Sequence, residues 1–334
     1  MTPDSSESAS ESTSESASKT APKKPVVVLT GPTASGKTSL ALSIAKRFDG
    51  EIINADSMQV FRFMDIGTAK PSLEERAVVP HHLFDVASPD DEYSAGRYAI
   101  EARAAAERIH ASGKLVLLVG GTGLYIRAFL EGLIETGGAD VELRERLEKE
   151  HATAVEAGVP LKLFRRLEEL DPRAATKIHP NDLRRTIRAL EIVDRCGREA
   201  STVRSEHGFQ SSPFESLHLA LDPGREIVNE RINRRCDEMM ERGLLQEVRR
   251  LRELGYGPGL RPMQAIGYRH INPVADGSDT LANAVEQMKT DTRRFARRQR
   301  TWLRKVEGAQ WCDPGEAGPI EQQVEDFMRS REGA

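Results

Sequence analysis

The chain has 334 residues, of which 38% are hydrophobic and 30% are charged, with a formal net charge of −4. This length allows one large or two modest domains with a substantial core, and no apolar run approaches the length of a membrane span. The three cysteines, Cys196, Cys236 and Cys312, lack metal-ligand spacing, which predicts reduced thiols in a cytoplasmic protein. Nothing in the sequence requires more than a monomer.

An acidic, serine- and glutamate-rich tail occupies residues 1–24. It has almost no bulky apolar residues to bury, so we expect it to be disordered. The folded part is predicted to start near Pro25. A run of β-branched and aliphatic residues follows at 26–29 and indicates a buried parallel strand.

A glycine-rich loop follows this strand and has the pattern G-x-x-x-x-G-K-T, with helical spacing of apolar residues after it. In this context, consecutive backbone N–H groups face one anion at a helix N-terminus, which predicts binding of a di- or triphosphate. Lys37 is expected to reach the terminal phosphate, and the Thr38 hydroxyl can hold Mg²⁺. The predicted phosphate-binding residues are Gly31, Pro32, Thr33, Ala34, Ser35, Gly36, Lys37 and Thr38.

Strand and helix patterns alternate over residues 25–130, with further strands at 51–56 and 114–121. This alternation is typical of an α/β fold with a doubly wound parallel sheet, here of the P-loop NTPase-like type. Ligands of such sheets bind at the carboxyl ends of the strands. We therefore expect the strand ends at Gly31, Asp56 and Gly120 to converge on one crevice.

The pattern changes at about residue 131. Strands vanish and helical spacing predicts an all-helical insertion domain over residues 131–200. A strand at 217–222 returns the chain to the sheet, within a second part of the core over residues 201–312. Residues 313–334 are predicted to form a C-terminal tail or helix.

Asp56, at a predicted strand end, has three interpretations: an Mg²⁺ ligand, a general base, or a turn or cap residue. No other predicted strand ends in the paired acids of an ATPase metal site, which argues against ATP hydrolysis. An arginine cluster follows the return strand at Arg231, Arg234 and Arg235. One of these arginines could clamp a diphosphate, or the cluster could be an exposed helix face paired with acids.

Residues 289–305 contain eight basic residues and one acid, Asp291. Such an excess indicates a polyanionic partner such as nucleic acid, and the alternative is a solvated charged helix face. Phe295, Trp302 and Leu303 are expected to pack on the core. Four arginines recur there with helical spacing and are predicted to form one stripe: Arg293, Arg297, Arg300 and Arg304.

Several long motifs occur in the order seen in the tRNA dimethylallyltransferase family, which residues 25–312 resemble. They include GPTASGKT (31–38), NADSMQVFRFMDIGTAKP (54–71), LVGGTGLYIRAFLEG (118–132), HPNDLRRTIRALEI (179–192) and RRQRTWLRK (297–305). The resemblance implies Mg²⁺-dependent transfer of the dimethylallyl group of dimethylallyl diphosphate to an adenine N6 amine of tRNA, with release of diphosphate. The acceptor would be the adenine 3′-adjacent to the anticodon in tRNAs that read codons starting with U.

The resemblance also implies catalytic roles for Asp56, Thr122 and Arg235. Asp56 would take the proton from the amine, Thr122 would contact the flipped-out base, and Arg235 would hold the diphosphate with Lys37 and Thr33. The positions that match expected tRNA contacts are Asp56, Ser57, Gln59, Thr122, Arg144, Asn181, Arg185, Gly267, Tyr268, Arg269, Arg298 and Gln299.

Two residues depart from the family pattern: Met58 stands where arginine is usual, and Phe61 where tyrosine is usual. The sequence has no C-terminal Cys/His zinc module, which indicates a bacterial-type enzyme. Three alternatives stay open: an isopentenyltransferase acting on free adenine nucleotides, a P-loop small-molecule kinase, and a non-catalytic RNA-binding module. The helical insertion and the arginine stripe favour a macromolecular acceptor.

Overall fold

The computed structural model describes residues 23–133, 140–207 and 212–332. The acidic tail, residues 1–24, was predicted to be disordered. Its positions 1–22 lie outside the described residues. All three cysteines are described and are free thiols. None of the described helices combines the length and the apolar character needed to cross a bilayer.

A six-stranded sheet forms the centre of the described chain. Its strands are β1 (Lys24–Thr30), β2 (Gly50–Asn54), β3 (His81–His82), β4 (Leu115–Val119), β5 (Phe214–Leu221) and β6 (Gln310–Cys312). Their spatial order is β3-β2-β4-β1-β5-β6, and every pair of neighbours is parallel. This arrangement confirms the predicted P-loop NTPase-like sheet. The edge strands β3 and β6 were not predicted, because two or three residues carry no readable hydrophobic pattern.

Helices cover both faces of this sheet, and others form a separate group. In the first half they are α1 (Lys37–Arg47), α2 (Leu73–Val78), α3 (Ala95–Ala111), α4 (Gly123–Glu131), α5 (Val141–Glu156), α6 (Lys162–Leu170) and α7 (Pro172–Ala175). In the second half they are α8 (Leu183–Cys196), α9 (Ala200–His207), α10 (Arg225–Glu241), α11 (Leu244–Glu253), α12 (Tyr268–Ala275), α13 (Leu281–Leu303) and α14 (Ala317–Glu332).

The central strand β1 contributes to two cores, one on each face of the sheet. Val26 and Val28 pack in a large cluster with residues of α3, α4 and α10–α13, whereas Val27 and Leu29 pack with residues of α1 and α14. All four side chains are fully buried. Burial on both faces explains why the strand reads as a continuous apolar run instead of alternating with polar residues.

Helices α5–α9 pack around a third core of their own, which contains Leu147, Leu167 and Leu190. Ala200 and Val203 of α9 belong to this cluster, so the helical group extends past residue 200, where the sequence analysis ended it. A buried carboxylate explains the extension: Asp171 caps α7 through Ala174 N (2.9 Å) and accepts a hydrogen bond from the α9 backbone at Ser201 N (2.7 Å).

Candidate active site

A cavity of about 570 Å³ opens at the carboxyl ends of β1, β2 and β4. Its walls include residues 33–38 of the phosphate loop (residues 31–38), Asp56 after β2, and Gly120 and Gly121 after β4. Three arginines of α10 also line it: Arg231, Arg234 and Arg235. The structure thus brings the three predicted strand ends into one crevice, together with the arginine cluster.

Close packing at glycines shapes the phosphate loop. A Cβ atom on Gly31 would lie 2.5 Å from Ser35 Oγ and 2.6 Å from the Leu221 carbonyl oxygen, so no larger residue fits without rearrangement. Gly36 caps α1 with a φ of 94°, in the left-handed region that favours glycine. Because α1 begins at the next residue, its partial positive charge lies at the cavity.

Lys37 lies at the start of α1, and its Nζ donates hydrogen bonds to the carbonyl oxygens of Gly31 (3.0 Å) and Pro32 (2.8 Å). The pKa of Lys37 is lowered to about 8, first by burial and then by the charge of Arg235, while the charge of Asp56 acts in the opposite direction. An anion bound beside this ammonium group would favour its charged form. The Lys37 charge is therefore sensitive to pH within the range in which enzymes work.

Arg235 approaches the phosphate loop from α10. Its Nη1 donates a hydrogen bond to Thr33 Oγ1 (3.2 Å). Burial lowers the pKa of Arg235, which the charge of Asp56 opposes. Arg234 pairs with Glu238 one turn later (3.4 Å), as the exposed-face interpretation predicts for that residue. Lys37 and Arg235 place two positive charges from different elements near one loop, an arrangement that favours a multiply charged anion.

Asp56 is fixed by the chain around it. Its Oδ1 accepts a hydrogen bond from Met58 N (2.9 Å), and its own N–H donates to Asn54 Oδ1 (2.9 Å). The Asn54 side chain is buried and also donates to the Leu83 carbonyl oxygen (3.0 Å). Sequence reasoning missed Asn54, although a polar residue at the end of an apolar strand is a signal that could have found it.

Thr122 and Ser57 do not line the cavity themselves, but they meet next to Gly121 and Asp56, which do. Thr122 Oγ1 accepts a hydrogen bond from Ser57 N (3.0 Å) and lies 3.3 Å from Ser57 Oγ. Thr122 stands at the N-cap of α4 without a side-chain capping bond, which agrees with its hydroxyl being directed to Ser57. A Cβ atom on Gly120 would overlap the backbone of Ala55, so glycine is needed for these two strand ends to approach.

A family model for IPP transferases matches residues 59–306. A curated tRNA dimethylallyltransferase from Desulfosudis oleivorans is 48% identical over 296 residues, covering 88% of this chain and 93% of that protein. One from Desulfatibacillum aliphaticivorans is 45% identical, covering 92% of this chain and 99% of that protein. This chain belongs to the tRNA dimethylallyltransferase family.

Solved structures of family members share the fold. The tRNA isopentenylpyrophosphate transferase of Bacillus halodurans is 37% identical with a TM-score of 0.68, and the match covers 93% of this chain and 99% of that one. A eukaryotic dimethylallyltransferase acting on tRNA is 31% identical with a TM-score of 0.79, over 92% of this chain and 80% of that one. The likeness thus includes both the sheet and the helical insertion.

In this family member, Gln299 joins two loops of the cavity. Its Oε1 accepts a hydrogen bond from Thr33 N (2.8 Å), and its Nε2 donates to the Gly121 carbonyl oxygen (3.1 Å). A Cβ atom on Gly121 would overlap the Gln299 amide. The resemblance implied a tRNA contact for Gln299, whereas the structure gives its amide two partners in the protein. Sequence reasoning missed this link because the partners are far apart in the chain.

Two other predicted tRNA-contacting residues are buried. Gly267 caps α12, and the Tyr268 side chain is fully buried with its hydroxyl donating to Glu247 (2.7 Å). This burial argues against the predicted contacts, because tRNA reaches only exposed groups. The neighbouring Arg269 is exposed and pairs with Asp291 (2.6 Å), so it stays a candidate.

The predicted tRNA-contacting residues of the helical insertion do not line the cavity. Arg144 pairs with the fully buried Glu191 (2.8 Å), which also holds Arg188 (2.7 Å). Arg185 and Asn181 are exposed at the start of α8 and just before it. Glu191 is an acid on the apolar face of α8, a signal that the sequence analysis did not use.

The arginine stripe predicted on α13 is wrong in part, because two of its members bind other parts of the protein. Arg293 donates to Asn233 Oδ1 (2.6 Å), and Arg300 forms an ion pair with Asp222. Arg297 and Arg304 are exposed. An RNA-facing surface on this helix would therefore consist of the exposed bases Arg294, Arg297, Arg298, Arg304 and Lys305.

The apolar residues of α13 differ from one another in their surroundings. Leu303 is buried and Trp302 packs against the core, as predicted. Phe295 is 37% exposed, so the prediction that it packs on the core is wrong; it lies under the Arg298 guanidinium instead (5.8 Å to the ring centroid). The Trp302 ring fills the space in which a Cβ atom on Gly123 would stand.

Proposed function

We propose that this protein transfers the dimethylallyl group of dimethylallyl diphosphate to the N6 amine of the adenine 3′-adjacent to the anticodon, in tRNAs that read codons starting with U. One observation carries the proposal: a phosphate loop with Lys37 and Arg235 shares its cavity with Asp56, beside the Ser57–Thr122 contact. The Asp56 carboxylate thus lies in the same cavity as the phosphate site, where it could take a proton from an acceptor.

The phosphate loop would bind and neutralise the diphosphate. Negative charge grows on the leaving oxygen as the allylic carbon–oxygen bond breaks, and fixed positive charge stabilises that change. Lys37, Arg235 and the N-terminus of α1 supply this charge from two elements. The two cations repel each other, so an anion bound near both relieves that repulsion.

Asp56 would act as the general base. The N6 nitrogen forms a bond to the allylic carbon while the bond from that carbon to the diphosphate oxygen breaks, and the amine proton passes to the Asp56 carboxylate. The hydrogen bond from Met58 N holds the Asp56 side chain at the cavity wall, and the bond from the Asp56 N–H to Asn54 Oδ1 holds its backbone. Thr122 and Ser57, joined at 3.0 Å, would contact the adenine turned out of the anticodon-loop stack.

A divalent cation fits the donors that the site offers. Within the described residues, no group of three His, Cys, Asp or Glu side chains is arranged to hold a metal ion. Thr38 is exposed at the first turn of α1, where its hydroxyl could bind Mg²⁺ together with diphosphate oxygens and water. Mg²⁺ commonly binds with few protein ligands, substrate phosphates and water. Bound there, it would add to the neutralisation of the leaving group.

The tRNA would contact the exposed bases of α13 and of the helical insertion. Arg298 presents a guanidinium over an exposed aromatic ring, and Arg185 is exposed at the start of α8. Arginine suits this role because it contacts phosphates in a bidentate manner and stacks on bases. The acidic Glu191 would hold Arg144 toward the same partner.

The test is transfer of label from dimethylallyl diphosphate in the presence of Mg²⁺. Three acceptors are compared: an anticodon stem-loop with adenine 3′ of the anticodon, AMP, and no acceptor. Label on the stem-loop alone supports the proposal. Label on AMP would assign the protein to enzymes of free nucleotides, and ATP binding without transfer of label would reject prenyl transfer.

A further inference from the structure

Glu247, in the first turn of α11, accepts four hydrogen bonds from two other segments. Its Oε2 accepts from the backbone N–H groups of Asp65 (3.0 Å) and Ile66 (2.7 Å). Its Oε1 accepts from Gly67 N (3.0 Å) and from the Tyr268 hydroxyl (2.7 Å). Three consecutive amides and a phenol need four acceptor positions, and a carboxylate with two oxygens supplies them.

The segment held in this way is part of the cavity wall, and we call residues 65–69 the cavity-wall loop. Thr68 and Ala69 line the cavity, as does Gln59. The carbonyl oxygens of Thr68 and Ala69 accept hydrogen bonds from Gln59 Nε2 (3.1 and 3.2 Å). The position of the Gln59 amide therefore depends on where the cavity-wall loop lies.

The cavity-wall loop also rests on the Tyr268 ring. A Cβ atom on Gly67 would lie 2.5 Å from that ring, so the backbone packs directly against the hydroxyl-bearing end of the ring. The far end of the segment has a separate anchor: the buried Lys70 Nζ binds the Phe61 carbonyl oxygen (2.8 Å) and Asp85 (2.6 Å). Because this anchor does not involve Glu247, loss of Glu247 should shift the loop without unfolding the segment.

We propose that Glu247 is a positioning residue, which sets the Gln59 amide for the tRNA acceptor through the cavity-wall loop. This inference rests on the proposed function, since it takes Gln59 as a tRNA-contacting residue. The contacts of Glu247 do not include the phosphate loop. Its replacement should therefore affect the tRNA substrate and leave the affinity for diphosphate largely unchanged.

Glu247→Gln keeps the shape of the side chain but replaces one accepting oxygen by an NH₂ group, which would face N–H or O–H donors. We expect kcat/KM for the anticodon stem-loop to fall by about tenfold or more. The dissociation constant of inorganic diphosphate should stay within about twofold of the wild type, because the hydrogen bonds of Glu247 do not reach the phosphate loop. Glu253→Gln, an exposed acid on the same helix, is the matched control and should change neither value.

A purely structural role is separated from a positioning role by repeating Glu247→Gln in a Gln59→Ala background. If Glu247 acts through Gln59, the loss in kcat/KM becomes much smaller there. An equal loss in both backgrounds, a result equal to that of Glu253→Gln, or a parallel loss of diphosphate affinity would overturn the inference. Should Glu247→Gln fail to fold, Tyr268→Phe takes its place, because it removes one of the four donors to Glu247. The same comparison of kcat/KM with and without Gln59→Ala then decides. Absence of transfer by the wild-type protein would instead reject the proposed function.

Discussion

The phosphate loop and the cavity-wall loop line the same cavity, but their backbones are held in different ways. Within the phosphate loop, Lys37 hydrogen-bonds the carbonyl oxygens of Gly31 and Pro32. The cavity-wall loop is held by Glu247 and Tyr268, about 180 to 200 residues later in the chain. The first loop thus relies mainly on its own contiguous motif, with Gln299 as a remote partner at Thr33 N, while the amides of the second loop are held by the remote Glu247.

This difference predicts that substitutions can impair transfer to the tRNA acceptor and binding of the diphosphate separately. We call the Asp56 part of the cavity the acceptor side and the phosphate-loop part the phosphate side, and the largest effect is expected on the acceptor side. Asp56→Asn should lower the rate of transfer to the stem-loop by about 10² to 10⁴, because an amide does not take the amine proton. Binding of the stem-loop should be largely kept, since asparagine can still accept the hydrogen bond from Met58 N. Single-turnover transfer and fluorescence anisotropy measure the two quantities.

Asp90→Asn, at an exposed position outside the cavity, is the control for this substitution and should behave as wild type. A variant Asp56→Asn that binds the stem-loop poorly but turns over the bound RNA at the normal rate would contradict the general-base role.

On the phosphate side, Lys37→Ala should weaken diphosphate binding by about 100-fold or more, since it removes a charged donor from a desolvated site. Stem-loop affinity should change little. Calorimetric titration with inorganic diphosphate in Mg²⁺ measures the effect, and Lys46→Ala, an exposed lysine of the same helix, is the control. Equal loss of both affinities would mean that the two sides do not act independently.

Gln299 joins the two sides, so its removal should affect both. Gln299→Ala leaves Thr33 N and the Gly121 carbonyl oxygen without their partner. We expect about a tenfold loss in diphosphate affinity and a similar rise in KM for the stem-loop, with a lower melting temperature. A change confined to the stem-loop would support the direct tRNA contact that the family resemblance implies.

The last prediction concerns pH. The pKa of Lys37 is lowered to about 8, so the free protein loses this positive charge as pH rises through that value. A diphosphate prefers the protonated lysine, and its affinity should therefore fall by about tenfold between pH 7 and pH 9. In Lys37→Arg the charge persists, and the decline should disappear. A decline of the same size in Lys37→Arg would assign the titration to another group.

The sequence predicted those parts of the molecule whose determinants are close together in the chain. The strand Val26–Leu29, the phosphate loop and the helix after it form one local pattern, and the structure has all three there. The convergence of Asp56 with Gly120 followed from the general rule for parallel sheets. These predictions needed no knowledge of contacts between remote residues.

The predictions that failed concern how remote residues are arranged. Helical spacing places Arg293 and Arg300 in one stripe, but it does not reveal that Asn233 and Asp222 bind them. The family motif likewise predicts that Tyr268 contacts tRNA, but it does not reveal the orientation of the hydroxyl. In the structure this hydroxyl donates to Glu247. Exposure depends on tertiary packing, which spacing along one element does not contain.

The glycine-rich turn after β4 meets two distant segments of the chain, the residue that follows β2 and helix α13. Side-chain space is taken at Gly120 by the Ala55 backbone, at Gly121 by the Gln299 amide, and at Gly123 by the Trp302 ring. Each glycine is thus constrained by a different neighbour, and no single compensating change could relieve all three. We therefore expect these three glycines to be among the positions that tolerate substitution least. The reason is that a side chain has no room there, and the glycines need not take part in catalysis.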